Sequence, residues 1–347
     1  MIFSQSVIDM FSSSLVSIIV LANITFAISV VFVERKNPSV ALLWVAVLFF
    51  LPIFGFLLYL VFGQTIYKGR IFQLKEADDR LKKEVIAQHE KDLKSIHIPL
   101  EDKAGDYLNM IAMLLRNDQA VISGDNMVEV FTDGHAKFDA LLDAIDHATD
   151  FIHLQYYIIR NDDLSRQIAT ALARKAREGV TVRVLGDALG CHGLPKDFFR
   201  ELTDAGGEVA WFFRAKYFRI NMRINYRNHR KIAIIDGKTG FIGGFNIGDE
   251  YLGKGPLGNW RDTHLQITGS AVHSLQVRFL MDWNHAAGTD LGFENWFFPP
   301  AETPTGTLVQ VVSSGPDSRG EAIKKGYLNL ITNARESVWI QTPYFIP

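Results

Sequence analysis

Between Asn228 and Asn246 the chain reads NHRKIAIIDGKTGFIGGFN. His229 and Lys231 stand two residues apart, Asp236 follows, and Gly243-Gly244-Phe245-Asn246 closes the stretch. IAIID has the composition of a strand, DGKTG that of a hairpin turn, and FIGGFN that of the returning strand. Side chains two apart in a strand share a face, so His229 and Lys231 project together. Glycines at 243 and 244 remove side-chain bulk and would let a ligand come close to the backbone. Asn246 adds a neutral amide beside them. A nucleophile or base, a fixed positive charge and an amide donor are the groups that phosphodiester chemistry requires: one atom attacks and donors stabilise the charged oxygens. A lone histidine near a strand is more often structural. The paired features shift that balance, and spacing alone carries the argument no further.

These residues must be positioned by a larger frame. VEVFTDG (Val128 to Gly134) has strand character, and KFDALLDAIDHA (Lys137 to Ala148) has helical spacing. FIHLQYYII (Phe151 to Ile159) reads as a strand covered on both faces. SRQIATALARKAREG (Ser165 to Gly179) is a helix with a glycine stop. A strand over Val180 to Leu189, a helix over Pro195 to Gly207 and a strand over Val209 to Phe213 follow. The alternation predicts an α/β lobe over residues 107–300, with a mixed, largely parallel sheet flanked by helices. The tail repeats the order strand, helix, strand at Thr307 to Ser313, Glu321 to Ala334 and Ser337 to Ile346. It is expected to open a second lobe over 301–347 that stays incomplete here.

Composition narrows the partners. The formal net charge is -2, so no basic excess points to nucleic acid. The one cysteine, Cys191, excludes an internal disulfide and reads as a small buried residue. His135, His147, His153, His192, His273 and His285 lack metal-ligand spacing, and no metal is expected. Uncharged runs near 10–33 and 39–62 are each long enough to cross a ~30 Å hydrocarbon core. They predict a transmembrane hairpin over residues 1–66, with Pro52 and Gly55 tolerated inside it. A highly charged linker over 67–106 follows. Its Lys68, Arg70, Lys75, Arg80, Lys82 and Lys83 outweigh Arg35 and Lys36 of the short loop, which favours a cytoplasmic catalytic domain. The basic and aromatic stretch Trp211 to Arg230, and Trp296 to Pro300, could face lipid or could be plain loop and packed linker.

The opening stretch resembles the phospholipase D superfamily, whose signature is H-x-K-x4-D followed by G-[SG]-x-N. Here it reads His229-Arg230-Lys231, Asp236, then Gly243-Gly244-Phe245-Asn246. With Gly244 the chain lacks the hydroxyl often found at that place. The glycine form with IGDEY (Ile247 to Tyr251), the segments EGVTVRVLGDALG, AGGEVAWF and WRDTH, and PIFGFLLYLVFG within the hairpin look like bacterial cardiolipin synthases. The resemblance implies that His229 attacks phosphorus to form a phosphohistidine, with no cofactor. Lys231, Asn246 and the Gly244 position would hold phosphate oxygens, and Asp262 would orient the imidazole. Asp236 completes the catalytic motif, with a bracing rather than a chemical role. Glu250 and His264 are candidates for the site wall. The reaction implied joins two phosphatidylglycerols into cardiolipin and glycerol, at a bacterial inner membrane crossed more than once. The family uses a second signature from a second lobe. H-x-K-x4-D occurs once in these residues, so a second lobe or second chain is expected to complete the site. Two rivals stand beside this expectation. One is a single-motif phosphodiesterase or nuclease acting as a homodimer, and the other is an inactive membrane-bound lipid-binding scaffold.

Overall fold

The computed structural model describes residues 107–212, 227–255, 260–301, 306–315 and 321–342, together with 38–51 and a few isolated positions. The chain divides into two units, residues 1–76 with 215–226, and residues 77–214 with 227–347.

In the first unit, helix α1 spans Pro38–Phe50, 13 residues without a charged side chain. The run expected at 10–33 lies almost wholly outside the described residues, as do the linker 67–106 and residues 213–226 of the basic stretch. The run expected at 39–62 does not continue as one straight helix. Helix α1 ends ahead of Pro52, which cannot donate to the ladder. The Tyr59 ring meets the Trp44 ring edge-on at 5.2 Å. A straight helix would hold two residues so far apart in sequence ~22 Å from each other. Among the described residues no helix is long and apolar enough to cross a membrane.

The second unit is one eight-stranded sheet with helices on both faces. Its elements are α2 (Leu108–Asp118), β1 (Ile122–Phe131), α3 (Gly134–Asp146), β2 (Phe151–Tyr156), α4 (Asp163–Arg177) and β3 (Thr181–Asp187). Then come α5 (Arg200–Asp204), β4 (Glu208–Phe212), β5 (Ile232–Ile235), β6 (Thr239–Gly243), β7 (His264–Thr268), α6 (Ala271–Ala287), β8 (Thr307–Gln310) and α7 (Ala322–Asn333). Short 3-10 turns lie at Asp249–Leu252 and Asn295–Phe297. Helices α3 and α4 begin earlier than the spacing predicts because aspartates cap them. Ala136 N–H donates to Asp133 (2.9 Å) and Ser165 N–H to Asp162 (3.0 Å).

The strand order is β4-β3-β2-β5-β6-β7-β1-β8. Only β2–β3 and β3–β4 pair in parallel; the other neighbours are antiparallel. The sheet is therefore mixed and mostly antiparallel, not largely parallel as expected. The β5–β6 turn is too short for a crossover, and short connections force antiparallel pairing. That hairpin and β7 stand between β1 and β2, which consecutive alternation would have made neighbours.

Strand alternation sorts β2 and β5 between two cores. Ile152, Leu154 and Tyr156, with Ala233 and Ile235, face the side filled by Phe138, Leu141, Ile168 and Leu172 of α3 and α4. Phe151, Ile232 and Ile234 face Val272, Leu275, Phe279 and Trp283 of α6. The two polar residues of β2 on that second side find partners on α6. His153 Nδ1 lies 3.1 Å from Gln276 Oε1, and Gln155 Nε2 donates to Asp282 (2.7 Å). Burial lowers the His153 pKa to about 3, so it is a neutral core histidine. Trp296 and Phe297 meet Phe151 edge-on at 5.3 and 5.2 Å; Phe297 is buried there, while Trp296 stays half exposed.

Of the order expected in the tail, the first strand and the helix form, as β8 and α7. Strand β8 pairs with β1 and so extends the sheet of the lobe before it. Residues 334–342 carry no strand, and 343–347 lie outside the described residues.

Asp236 locks the β5–β6 turn onto β2. Its carboxylate accepts from the N–H groups of Thr149, Asp150 and Phe151 (2.8 Å each) and from Thr149 Oγ1 (3.0 Å). Its backbone is left-handed, φ 53°. Asp236→Ala should lower the unfolding free energy by about 2–4 kcal/mol, since it strands those donors and puts alanine at a disfavoured φ. Chemical denaturation checks this; a loss below about 0.5 kcal/mol would remove the bracing role.

Candidate active site

His229 and Lys231 precede β5 and keep its alternation, on the side of Ala233. Both meet Tyr157, the residue after β2. The His229 imidazole stacks on the Tyr157 ring, centroids 3.7 Å apart and planes 18° apart. Lys231 Nζ lies 5.3 Å from the same ring centroid and donates to the His229 carbonyl at 2.7 Å. Tyr157 is itself held tightly: a Cβ on Gly190 would overlap its carbonyl, and the buried Cys191 Sγ donates to that oxygen at 3.6 Å. Among the described residues no hydrogen bond engages the His229 ring. Its pKa is lowered, by desolvation first and then by the Lys231 and Arg227 charges, against an opposing pull from Asp187. These effects favour the neutral imidazole, whose lone pair is the one that would attack. Burial brings Lys231 down to about 8, while the Asp262 carboxylate pulls upward. A cation at neutral pH beside a neutral imidazole suits nucleophilic attack on an anionic phosphodiester.

The other expected residues fall in different places. Asn246 is buried and fixed in orientation. Its Oδ1 must accept from Ile158 N–H (3.1 Å), which turns Nδ2 toward the Tyr251 hydroxyl (2.9 Å). One amide hydrogen of the two remains for an incoming oxygen. The space over Gly243 and Gly244 is filled by protein, not left for a ligand. A Cβ on Gly243 would overlap Thr263 and His264, and one on Gly244 would overlap the Asp262 carboxylate. Gly244 thus makes room for Asp262 where a serine could not stand unchanged. Asp262 accepts from Thr263 N–H (2.7 Å) and acts electrostatically on Lys231. Among the described residues no hydrogen bond joins it to the imidazole it was expected to orient.

Glu250 is held in an ion pair with Arg160 at 3.2 Å. His264 is fully buried, stacked on Phe245 at 5.8 Å, with its pKa driven to about 2 by burial and by the charges of Lys137 and Lys231. It lies beneath the surface and forms no accessible wall. Asp236 stands at the far end of β5 from His229, and its oxygens are taken up by the start of β2.

Sequence reasoning missed Tyr157, Asp187 and Asp282. Tyr157 sat inside an apolar run with nothing to mark it. Asp187 ends β3, and the carboxyl ends of parallel strands are where sites gather, so a signal existed. Asp282 lies on the inner face of α6 and carried no local sign.

Comparison with known proteins gives two family matches. Residues 141–283 match the family described as cardiolipin synthase, phospholipase D-like domain. Residues 21–64 match the phospholipase D-nuclease N-terminal family. The major cardiolipin synthase of Bacillus subtilis is 48% identical over 342 residues, covering 97% of this chain and 70% of that protein. A cardiolipin synthase of Listeria monocytogenes is 45% identical over 336 residues, covering 96% of this chain and 70% of its own length. Among solved structures, phosphatidylserine synthase of Haemophilus influenzae aligns over 65% of this chain and 46% of its own, at 14% identity and a TM-score of 0.41. NucT from Helicobacter pylori aligns over 48% of this chain and 98% of its own, at 18% identity and a TM-score of 0.36.

Proposed function

Because the chain belongs to the cardiolipin synthase family with a phospholipase D-like domain, we propose that it transfers a phosphatidyl group between two phosphatidylglycerol molecules, giving cardiolipin and glycerol. In the first step a nitrogen of the His229 imidazole bonds to phosphorus, and the bond from phosphorus to the glycerol oxygen breaks. The leaving glycerol oxygen takes a proton from a general acid supplied by a second lobe or second chain. In the second step a hydroxyl of another phosphatidylglycerol bonds to phosphorus, the P–N bond breaks, and the hydroxyl proton returns to that same group. One phosphodiester is exchanged for another, so no nucleotide is consumed. Lys231 and Asn246 hold the phosphate oxygens, with Asp262 favouring the charged form of Lys231 against the desolvation that opposes it. The observation that carries this reading is the His229 ring stacked on Tyr157 beside Lys231 Nζ, with no hydrogen bond to that ring among the described residues.

The site is placed at the cytoplasmic face of the bacterial inner membrane, held there by the apolar N-terminal segment. Two uncharged runs in the sequence and the basic residues that follow them support this. Both substrates then sit in the same bilayer as the enzyme. The test uses phosphatidylglycerol labelled in the head group, in detergent–lipid micelles with the protein in its full reading frame. Cardiolipin and labelled glycerol are expected in equal amounts. Phosphatidic acid as the sole lipid product would overturn the transferase reading.

A further inference from the structure

His229 has one neighbour on each side, and both neighbours are gripped by buried carboxylates. Asn228 N–H donates to Asp187 Oδ2 at 3.0 Å. Asp187 is buried, and its other oxygen accepts from Leu189 and Gly190 N–H (2.9 and 3.0 Å), which ties it to the loop that packs under Tyr157. Asp282 Oδ2 accepts from Asn228 Nδ2 (3.0 Å), Arg230 Nη1 (2.8 Å) and Gln155 Nε2 (2.7 Å). Arg230 N–H closes a turn onto Asn228 Oδ1 at 3.1 Å, with His229 at its centre. Arg230 also donates to Ser313 Oγ (3.0 Å) in the segment after β8.

The alternation of the strand explains the division of labour. Residues 229 and 231 point to Tyr157; residues 228 and 230 point to the α6 side, where Asp282 stands. A buried carboxylate carries a large desolvation penalty unless it is paired and hydrogen-bonded, and here Arg230 supplies the charge. Removing one oxygen's charge would loosen several bonds together. Backbone position at a nucleophile matters steeply, since a shift of ~1 Å can lower a rate by ~10²-fold.

We infer that Asp282 and Asp187 form a clamp on Asn228 and Arg230 that fixes the angle at which the His229 imidazole is presented. Asp282 is thus a positioning residue that touches neither substrate nor the reacting atoms. The inference rests on His229 being the nucleophile.

The experiment compares Asp282→Asn with the parent protein in its full reading frame. Asparagine keeps the shape and one acceptor but leaves Arg230 without its counter-charge. Two readouts are taken: steady-state kinetics with phosphatidylglycerol, and the rate at which diethyl pyrocarbonate modifies each histidine, resolved by peptide mass spectrometry. A clamp predicts that kcat falls about 10- to 100-fold while KM stays within about threefold. It also predicts that His229 is modified at least about threefold faster once its turn is loosened. The exposed His135, His147 and His192 are internal controls and should not change. An unchanged kcat in the folded variant would overturn the inference. So would a fall in kcat with His229 modified at the parent rate, because the carboxylate would then serve the fold at large. If Asp282→Asn fails to fold, Asn228→Ala removes the same turn without leaving the arginine unpaired, and the same two outcomes apply. If the parent forms no phosphohistidine, the nucleophile reading falls. The modification rates then still decide whether the clamp exists.

Discussion

His229→Ala is expected to lower cardiolipin formation by ~10⁴-fold or more while leaving the fold in place. The magnitude follows from removing a nucleophile rather than a binding group, so the covalent route closes altogether. The intact fold follows from the surroundings of the ring. Among the described residues it makes no hydrogen bond, and its contact is the stack on Tyr157. Losing one such stack removes about 0.5–1.5 kcal/mol. The decisive measurement is a rapid quench of the parent protein with phosphatidylglycerol labelled in its phosphorus. A P–N bond survives base and breaks in acid, so protein-bound label should appear after an alkaline quench and vanish on acidification. It should be missing from the variant. Turnover within about tenfold of the parent, or base-stable label still on the variant, would assign the chemistry to another residue. It would leave the Tyr157–His229 stack as a structural contact.

The local part of this site was legible in the sequence, and the tertiary part was not. His229 and Lys231 share a face because strands alternate, and a spacing of two reveals that without any fold. The same rule put Arg230 on the opposite face, but its partner Asp282 lies on a helix more than fifty residues further along. No periodicity links the two positions. Tyr157 was hidden for a related reason. It sits inside an apolar run, directly after β2, whose residues are all buried, and only the pairing of β2 with β5 brings it under the imidazole. The sheet was misjudged where connection length mattered more than alternation. Strand–helix order correctly gave the parallel β2–β3–β4 half, yet the β5–β6 hairpin and β7 filled the space beside β2 with antiparallel neighbours. The double glycine was read as room for a ligand, because a sequence cannot tell which atoms fill the space that a missing Cβ leaves. Here they are the carboxylate of Asp262 and the backbone of β7. In the tail the strand-like and helical patterns were legible, and both form, as β8 and α7; what the pattern could not give was the partner, and β8 pairs with β1.

Lys231 gives the second large effect, and its sign can be worked out from charge. Productive attack needs His229 neutral and Lys231 protonated. The imidazole pKa is held below its ordinary 6.5, so the acid limb, along which activity rises with pH, should lie below 6.5. The ammonium has its pKa at about 8, so activity should fall as pH rises through about 8. The profile of kcat/KM is therefore expected to be a bell with its top near neutral pH. Lys231→Arg separates this cation from any other group that titrates in the same range. Guanidinium stays charged above pH 12, so the alkaline limb should move out beyond the range of the assay, even if the longer side chain lowers the maximum. Lys231→Met should lower kcat/KM by ~10²–10³-fold, because a preorganised positive charge on the phosphate is lost. The same variant should be more stable than the parent at neutral pH. With a folded pKa of about 8 against an ordinary 10.5, the unfolded chain binds more protons between those values. Stability therefore rises with pH across that window, and below it the charged lysine opposes folding. Methionine removes that opposition, so its melting temperature at pH 7 should exceed the parent's. An alkaline limb that stays near 8 in Lys231→Arg would move the titrating group elsewhere. A lower melting temperature in Lys231→Met would mean that the ammonium stabilises the site it occupies, contrary to the desolvation that lowers its pKa.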